Sequence, residues 1–206
     1  LFCTYAVYFL KFGPFSNFTI LSFIYINNRK SLKYILYVIF RMCGIIGIHA
    51  QQPSDQIAYE VFEGLMSLQH RGQDSVGIAN DYRIIKRPGL VKFAFQNDDL
   101  TKLYGNMCIG HVRYATNGIS DNIQPLYNTF PARITICHNG NIQNTEYIRT
   151  ILQEEYHVTL NTKSDSEYIL VLFCSKLYQT LRNKMIRLNV DVIQHVCKYL
   201  HGILKG

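Results

Sequence analysis

Cys43 opens an apolar run, Cys43-Gly-Ile-Ile-Gly-Ile-His-Ala50, directly after Met42. An initiating methionine before a small residue is normally removed, so a start at Met42 leaves Cys43 with a free α-amine beside its own thiol. That amine titrates at about 7.7–8.0 and a thiol near 8.5. Proton transfer between them is therefore feasible at neutral pH, and one residue supplies both nucleophile and base. Taken alone, a Cys in an apolar strand is more simply a small core residue.

Other segments carry chemistry of a compatible kind. Arg113, within Gly110-His-Val-Arg-Tyr-Ala-Thr116, presents a guanidinium that can pair a carboxylate in bidentate fashion; a surface ion pair is the plainer alternative. His111 alternates with it and reads as a hydrogen-bonded structural histidine. In His138-Asn139-Gly140-Asn141, an Asn amide and a Gly backbone N–H would make an oxyanion hole for acyl transfer, or simply a turn. Asp165, in Ser164-Asp-Ser-Glu167, suits a helix N-terminus, where the dipole favours a carboxylate, or a grip on a substrate ammonium. Asp98-Asp99-Leu-Thr101 superficially resembles an acidic diphosphate-binding loop. With no buried strand before it and no Gly-rich loop after it, a solvated turn is expected.

The elements that must hold these residues follow from periodicity. Cys43–Ala50 reads as a buried strand. Pro53-Ser54-Asp55 offers a helix start, and Ile57, Val61, Leu65 and Leu68 recur at helical spacing. Strands are predicted at 76–79, 84–86, 92–95, 108–114 and 133–137. Thr145–Tyr156 reads as a helix capped by Asn144. Ser164 and Glu167 fit a capping box before a helix over 168–178, and 190–200 is amphipathic, stopping at Gly202. Strands lead and helices follow, too irregularly for a parallel βαβ series, so the class is α+β.

The formal charge of +7 over 206 residues suggests a polyanion partner until it is located. Residues 1–42 hold five Lys/Arg, no Asp or Glu, and 12 of the 27 Phe/Tyr. Residues 43–206 hold 16 basic and 14 acidic side chains, so no nucleic-acid partner is expected of that part. The first 42 residues read as an apolar, basic leader upstream of a start at Met42, with a membrane anchor or a removable propeptide as alternatives. The longest uncharged run, 12–28, falls short of the 18 or more clean apolar residues of a spanning helix. Six Cys without a C-x-x-C pair argue for reduced thiols rather than a disulfide frame or zinc ribbon. No Walker loop, H-E-x-x-H, EF-hand loop or G-x-S-x-G is present.

The segments occur in a telling order: Met42-Cys-Gly-Ile-Ile-Gly47, Gln69-His-Arg-Gly-Gln-Asp-Ser75, Gly110–Thr116, His138-Asn-Gly-Asn141 and Ser164-Asp-Ser-Glu167. This series resembles the glutaminase domain of glutamine amidotransferases of the N-terminal-nucleophile type. Within them it is most similar to the amidophosphoribosyltransferases, on His70-Arg-Gly-Gln73, Tyr114 and Gln124-Pro125. The resemblance implies a four-layer αββα sandwich, the N-terminal-nucleophile hydrolase fold, over residues 43–206 and incomplete at its C-terminal end. It implies that Cys43 attacks the side-chain amide carbon of L-glutamine, with Asn139 and Gly140 as the oxyanion hole. Arg113 would bind the substrate α-carboxylate and Asp165 its α-ammonium, while Tyr114 and Thr116 line the pocket. Arg71 and Gly72 would shape the surroundings of the nucleophile.

In that family the ammonia passes to a phosphoribosyltransferase domain, normally in the same chain, which forms phosphoribosylamine in the first step of purine synthesis. A domain needs roughly 100–200 residues, and nothing here supplies them. Mg²⁺ and, in some relatives, an iron–sulfur cluster are expected only with that domain, so no metal or other cofactor is expected here. A cytoplasmic location and a homo-oligomeric full-length enzyme are expected. The alternatives are the glutaminase domain of another amidotransferase, such as glucosamine-6-phosphate synthase, or a non-catalytic, membrane-tethered glutaminase-like module.

Overall fold

The computed structural model describes residues 5–12, 17–19, 43–114, 122–140, 142–162 and 164–205. The chain divides into two compact units, one of residues 28–125 and one of residues 1–27 with 126–206.

In the continuous unit, strands β3 (Gly44–Ser54), β4 (Ser75–Asn80), β5 (Ile84–Pro88) and β6 (Gly105–Arg113) form an antiparallel sheet in the order β3-β6-β4-β5. All six residues of β4 are buried, as expected of an inner strand made mostly of small and β-branched residues. Helix α1 (Ile57–Ser67) covers this sheet. The helical spacing is real: Ile57, Val61, Leu65 and Leu68 are all buried in one core with Ile46, Ile78 and Val112. Each such side chain contributes about 1.5–3 kcal/mol of burial. Gly110 lets the helix come this close, because a Cβ there would lie 2.7 Å from Leu65 Cδ1 and Val61 Cγ1.

In the other unit, β7 (Leu126–Asn128) pairs antiparallel with β8 (Ile134–Asn139). Helices α4 (Thr145–Glu154), α5 (Asp165–Lys184) and α6 (Val190–Lys205) bury a second core around Phe173, Ile136 and Ile169. Two segments of the first 42 residues extend this sheet. Strand β1 (Tyr5–Phe12) pairs in parallel with β8, Tyr5 opposite Ile134 and Leu10 opposite Asn139, and β2 (Asn17–Thr19) pairs antiparallel with β1. The order is β2-β1-β8-β7. Each unit thus supplies one helical layer and one sheet.

Five local expectations differ from what is found. Lys92–Phe95 is not a strand: Val91–Ala94 is a short helix, α2, with Val91 and Ala94 buried at i, i+3 and Phe93 exposed. The Asp98-Asp99 segment is not a solvated turn but part of helix α3 (Asn97–Thr101), where Asp99 caps the N-terminus and pairs with Arg87. Helix α6 runs through Gly202, because burial of Leu204 in the core outweighs the local cost of a helical glycine. Ser164 and Asn144 do stand at N-cap positions but make no side-chain cap. Asn144 Nδ2 instead donates to the Ile203 carbonyl at 2.7 Å. Glu167, in place of closing a capping box, accepts the N–H groups of Asn161 and Thr162 at 3.0 and 2.7 Å.

Candidate functional site

The candidate residues fall into one group in each unit. In the continuous unit, β3 and β6 run antiparallel with Gly44 opposite Val112, so Cys43 and Arg113 meet at the same end of the pair. Cys43 is half-buried and has a φ of +28°, a left-handed conformation that non-glycine residues seldom adopt. Arg71, at the end of a 3-10 turn (Gln69–Arg71), is buried, and its Nε donates to the Cys43 carbonyl at 2.9 Å. Burial pushes the Arg71 guanidinium below its usual range, and negative charge on Cys43 pulls it partly back. A positive charge is therefore held beside Cys43 through its carbonyl.

Gly72 explains how the turn reaches this place. A Cβ at that position would lie 2.5, 2.6 and 2.8 Å from the backbone C, O and N of Arg113. Just beyond, the Asp74 N–H donates to the Arg113 carbonyl at 3.1 Å. The fold thus brings Cys43, Arg71, Gly72 and Arg113 to one neighbourhood. Tyr114 follows Arg113 with 57% of its surface exposed, while Thr116 lies outside the described residues. His111 is fully buried in β6, in register with Gly77 and Ile45, consistent with a structural histidine.

In the other unit, Asn139 ends β8 and Gly140 follows in a bend, both half-buried. Asp165 begins the 20-residue helix α5, where the dipole favours its negative charge. Its Oδ2 accepts the Ile142 N–H at 3.1 Å, and its Oδ1 is approached by Ser166 Oγ at 3.3 Å and His138 Nδ1 at 3.7 Å. Asp165 therefore ties the loop after β8 to the start of α5. Two polar residues to which the motifs gave no role, His138 and Ser166, belong to this group; the only hint of them in the sequence is that each adjoins a candidate.

Burial alone would push the Asp165 carboxyl up. The attraction of His138 and the N–H donors of Ile142 and Ser166 outweigh it and hold the group below the ordinary carboxylate range. Its charge thus stabilises the fold fully above the unfolded-state value near pH 4. The contribution is lost as pH falls through the depressed folded-state value. Asp165→Asn should cost most stability near neutral pH and converge with the parent protein in acid. Urea midpoints at stepped pH would show this, and parallel curves would contradict it.

Among the described residues, no three or more His, Cys, Asp or Glu side chains are grouped to hold a metal. No helix among them is long and apolar enough to cross a membrane. The five described cysteines are free thiols.

Residues 98–185 match the model of a glutamine amidotransferase domain. Among curated proteins, the chain is 44% identical over 143 residues to the amidophosphoribosyltransferase of Escherichia coli K12, covering 66% of this chain and 28% of that protein. It is 37% identical over 172 residues to that of Schizosaccharomyces pombe, covering 80% and 32%. A solved structure of glutamine phosphoribosylpyrophosphate amidotransferase from B. subtilis, complexed with ADP and GMP, superposes with a TM-score of 0.55 at 30% identity. It covers 77% of this chain and 32% of that one. The chain spans about a third of the length of these relatives. The α+β architecture is accordingly that of the N-terminal-nucleophile fold seen in such neighbours.

Proposed function

Because this chain carries a glutamine amidotransferase domain of the amidophosphoribosyltransferase kind, we propose that it hydrolyses the side-chain amide of L-glutamine with Cys43 as nucleophile. The thiol gives its proton to the α-amine and the sulfur adds to the amide carbon. The resulting oxyanion is held by the Asn139 amide and the Gly140 N–H. The ammonium returns the proton to the departing nitrogen, so ammonia leaves and a thioester remains. Water, losing a proton to the same amine, attacks the thioester, and glutamate and the free thiol are restored.

Arg113 takes the substrate α-carboxylate and Asp165 its α-ammonium; Tyr114 and Thr116 line the pocket, and Arg71 and Gly72 support the nucleophile. The observation that carries this reading is the convergence of Cys43, a buried Arg71 and Arg113 at one end of the β3–β6 pair. In a longer protein the ammonia would displace diphosphate from phosphoribosyl diphosphate to form phosphoribosylamine. A phosphoribosyltransferase domain, with its Mg²⁺ and any iron–sulfur cluster, would carry out that step, within a homo-oligomer. Free thiols at all five described cysteines support a cytoplasmic setting.

Protein with Cys43 at its N-terminus should release glutamate and ammonia from glutamine in equal amounts, read by a coupled dehydrogenase assay and ammonia electrode. Failure to release either from a folded sample would overturn the proposal.

A further inference from the structure

A carboxylate that is to recognise an ammonium must be ionised, oriented and still open on one side. Asp165 meets these demands through contacts that the family-level roles leave unused. His138 is 5% exposed and Ser166 2%, and His138 Nδ1 lies 3.1 Å from Ser166 Oγ. One assignment of protons satisfies both Ser166 contacts: His138 Nδ1–H donates to Ser166 Oγ, and the Ser166 hydroxyl donates to Asp165 Oδ1 at 3.3 Å. The Ile142 N–H holds Oδ2 from the other side. Both oxygens are thus pinned by donors from β8, the loop after it and the first turn of α5. A carboxylate has about four acceptor positions, and the Ile142 N–H, the Ser166 N–H and the Ser166 hydroxyl take three, so room remains for one more donor. A fifth of the Asp165 side chain remains exposed, which leaves a face for an incoming cation.

We propose that His138 and Ser166 are positioning residues, forming a buried donor chain that presents the Asp165 carboxylate to the α-ammonium of the substrate amino acid. The proposal rests on Asp165 being the ammonium site. It makes discrimination for an α-amino acid a property of two buried side chains that never touch the ligand. Without the chain, Oδ1 loses the Ser166 hydroxyl and the carboxylate is held only by the backbone N–H groups of Ile142 and Ser166, so part of its ordering falls to the ligand.

The test compares two ligands on the full chain by calorimetry: glutamine, and glutaramate, which is glutamine without its α-amino group. Ser166→Ala removes the middle of the chain. His138→Gln moves the donor away from the Nδ1 position, whereas His138→Asn keeps an N–H there. Ser166→Ala and His138→Gln should each weaken glutamine binding about tenfold, roughly the loss of one hydrogen bond to a charged group. Both should leave glutaramate binding within about twofold, and His138→Asn should bind glutamine nearly as the parent does.

Unchanged glutamine affinity in Ser166→Ala and His138→Gln overturns the proposal. So does a parallel loss for both ligands, which would mark the cluster as a structural tie only, and so does failure of His138→Asn to rescue. Asp165→Asn separates the underlying reading: if it leaves glutamine binding intact, or if the parent chain binds no glutamine, Asp165 is not the ammonium site and the proposal falls with it.

Discussion

Cutting the bond between Met42 and Cys43 is expected to raise glutamine hydrolysis about a thousandfold, the middle of the range for a positioned general base. In the intact chain the nitrogen of Cys43 is an amide, which accepts no proton near neutral pH. The guanidinium of Arg71 is within electrostatic reach of Cys43, but it stays protonated and cannot serve as a base. Freeing the α-amine supplies the missing group at the one position where the thiol has it in reach.

The cut should be made with an engineered protease site that leaves Cys43 terminal, and the leader should be kept in the sample. Its strand β1 pairs with β8, so deleting the leader would change a sheet as well as a terminus. Comparing the rate before and after cutting isolates the amine, and Cys43→Ala in the cut protein should reduce it to background. Equal rates in cut and uncut protein would rule out the α-amine as the base.

Gly72→Ala is expected to destabilise the continuous unit by about 3 kcal/mol, at the upper end for an overpacked site. The new methyl would lie under 3 Å from three backbone atoms of Arg113. These atoms end the inner strand β6, where Arg113 pairs with Ser75 of β4, its carbonyl accepts the Asp74 N–H and the adjacent Val112 pairs with Gly44 of β3, so they cannot step aside as a flexible side chain would. The strain falls on the turn carrying Arg71 or on the end of β6 carrying Arg113, and glutamine binding should weaken with stability. Gly202→Ala is the control. A Cβ there meets nothing within 4 Å, and alanine in mid-helix should be neutral or stabilising by up to about 1 kcal/mol. Urea midpoints decide both; equal behaviour of the two variants would contradict the steric account.

Much of this was legible in the sequence because it rests on local periodicity. The i, i+4 series of Ile57, Val61 and Leu65 forms α1, and the apolar runs beginning at Gly44 and Ile134 form β3 and β8. Short segments were not legible. Four residues such as Val91–Ala94 offer too few positions to tell a period of two from one of 3.6. The three-residue strand β7 exists only through its pairing with β8.

The candidate site divides in the same way. Cys43, Arg113, Asn139 and Asp165 stand out by type and order. What surrounds them depends on contacts between distant residues, such as Arg71 with Cys43, 28 positions apart, and Asp165 with Ile142, 23 apart. Spacing cannot foretell those. Nor does any pattern in the first 42 residues announce a partner strand more than 120 positions away.

That strand bears on how the protein is made. The unit of residues 28–125 is continuous, so it can fold as soon as its last strand has emerged from the ribosome. The other unit cannot. Its sheet joins β1, translated more than 120 residues earlier, to β8, and its core draws on helices up to Leu204. Until Asn139 has been translated, β1 has only the short β2 beside it and its other edge is open. It must wait as an exposed, strand-forming stretch for the time needed to add well over 100 residues. At about 5–20 residues per second, that is a delay of several seconds or more. The interval exposes an aromatic-rich stretch to aggregation and to chaperone capture while the unit beside it in sequence is already folded.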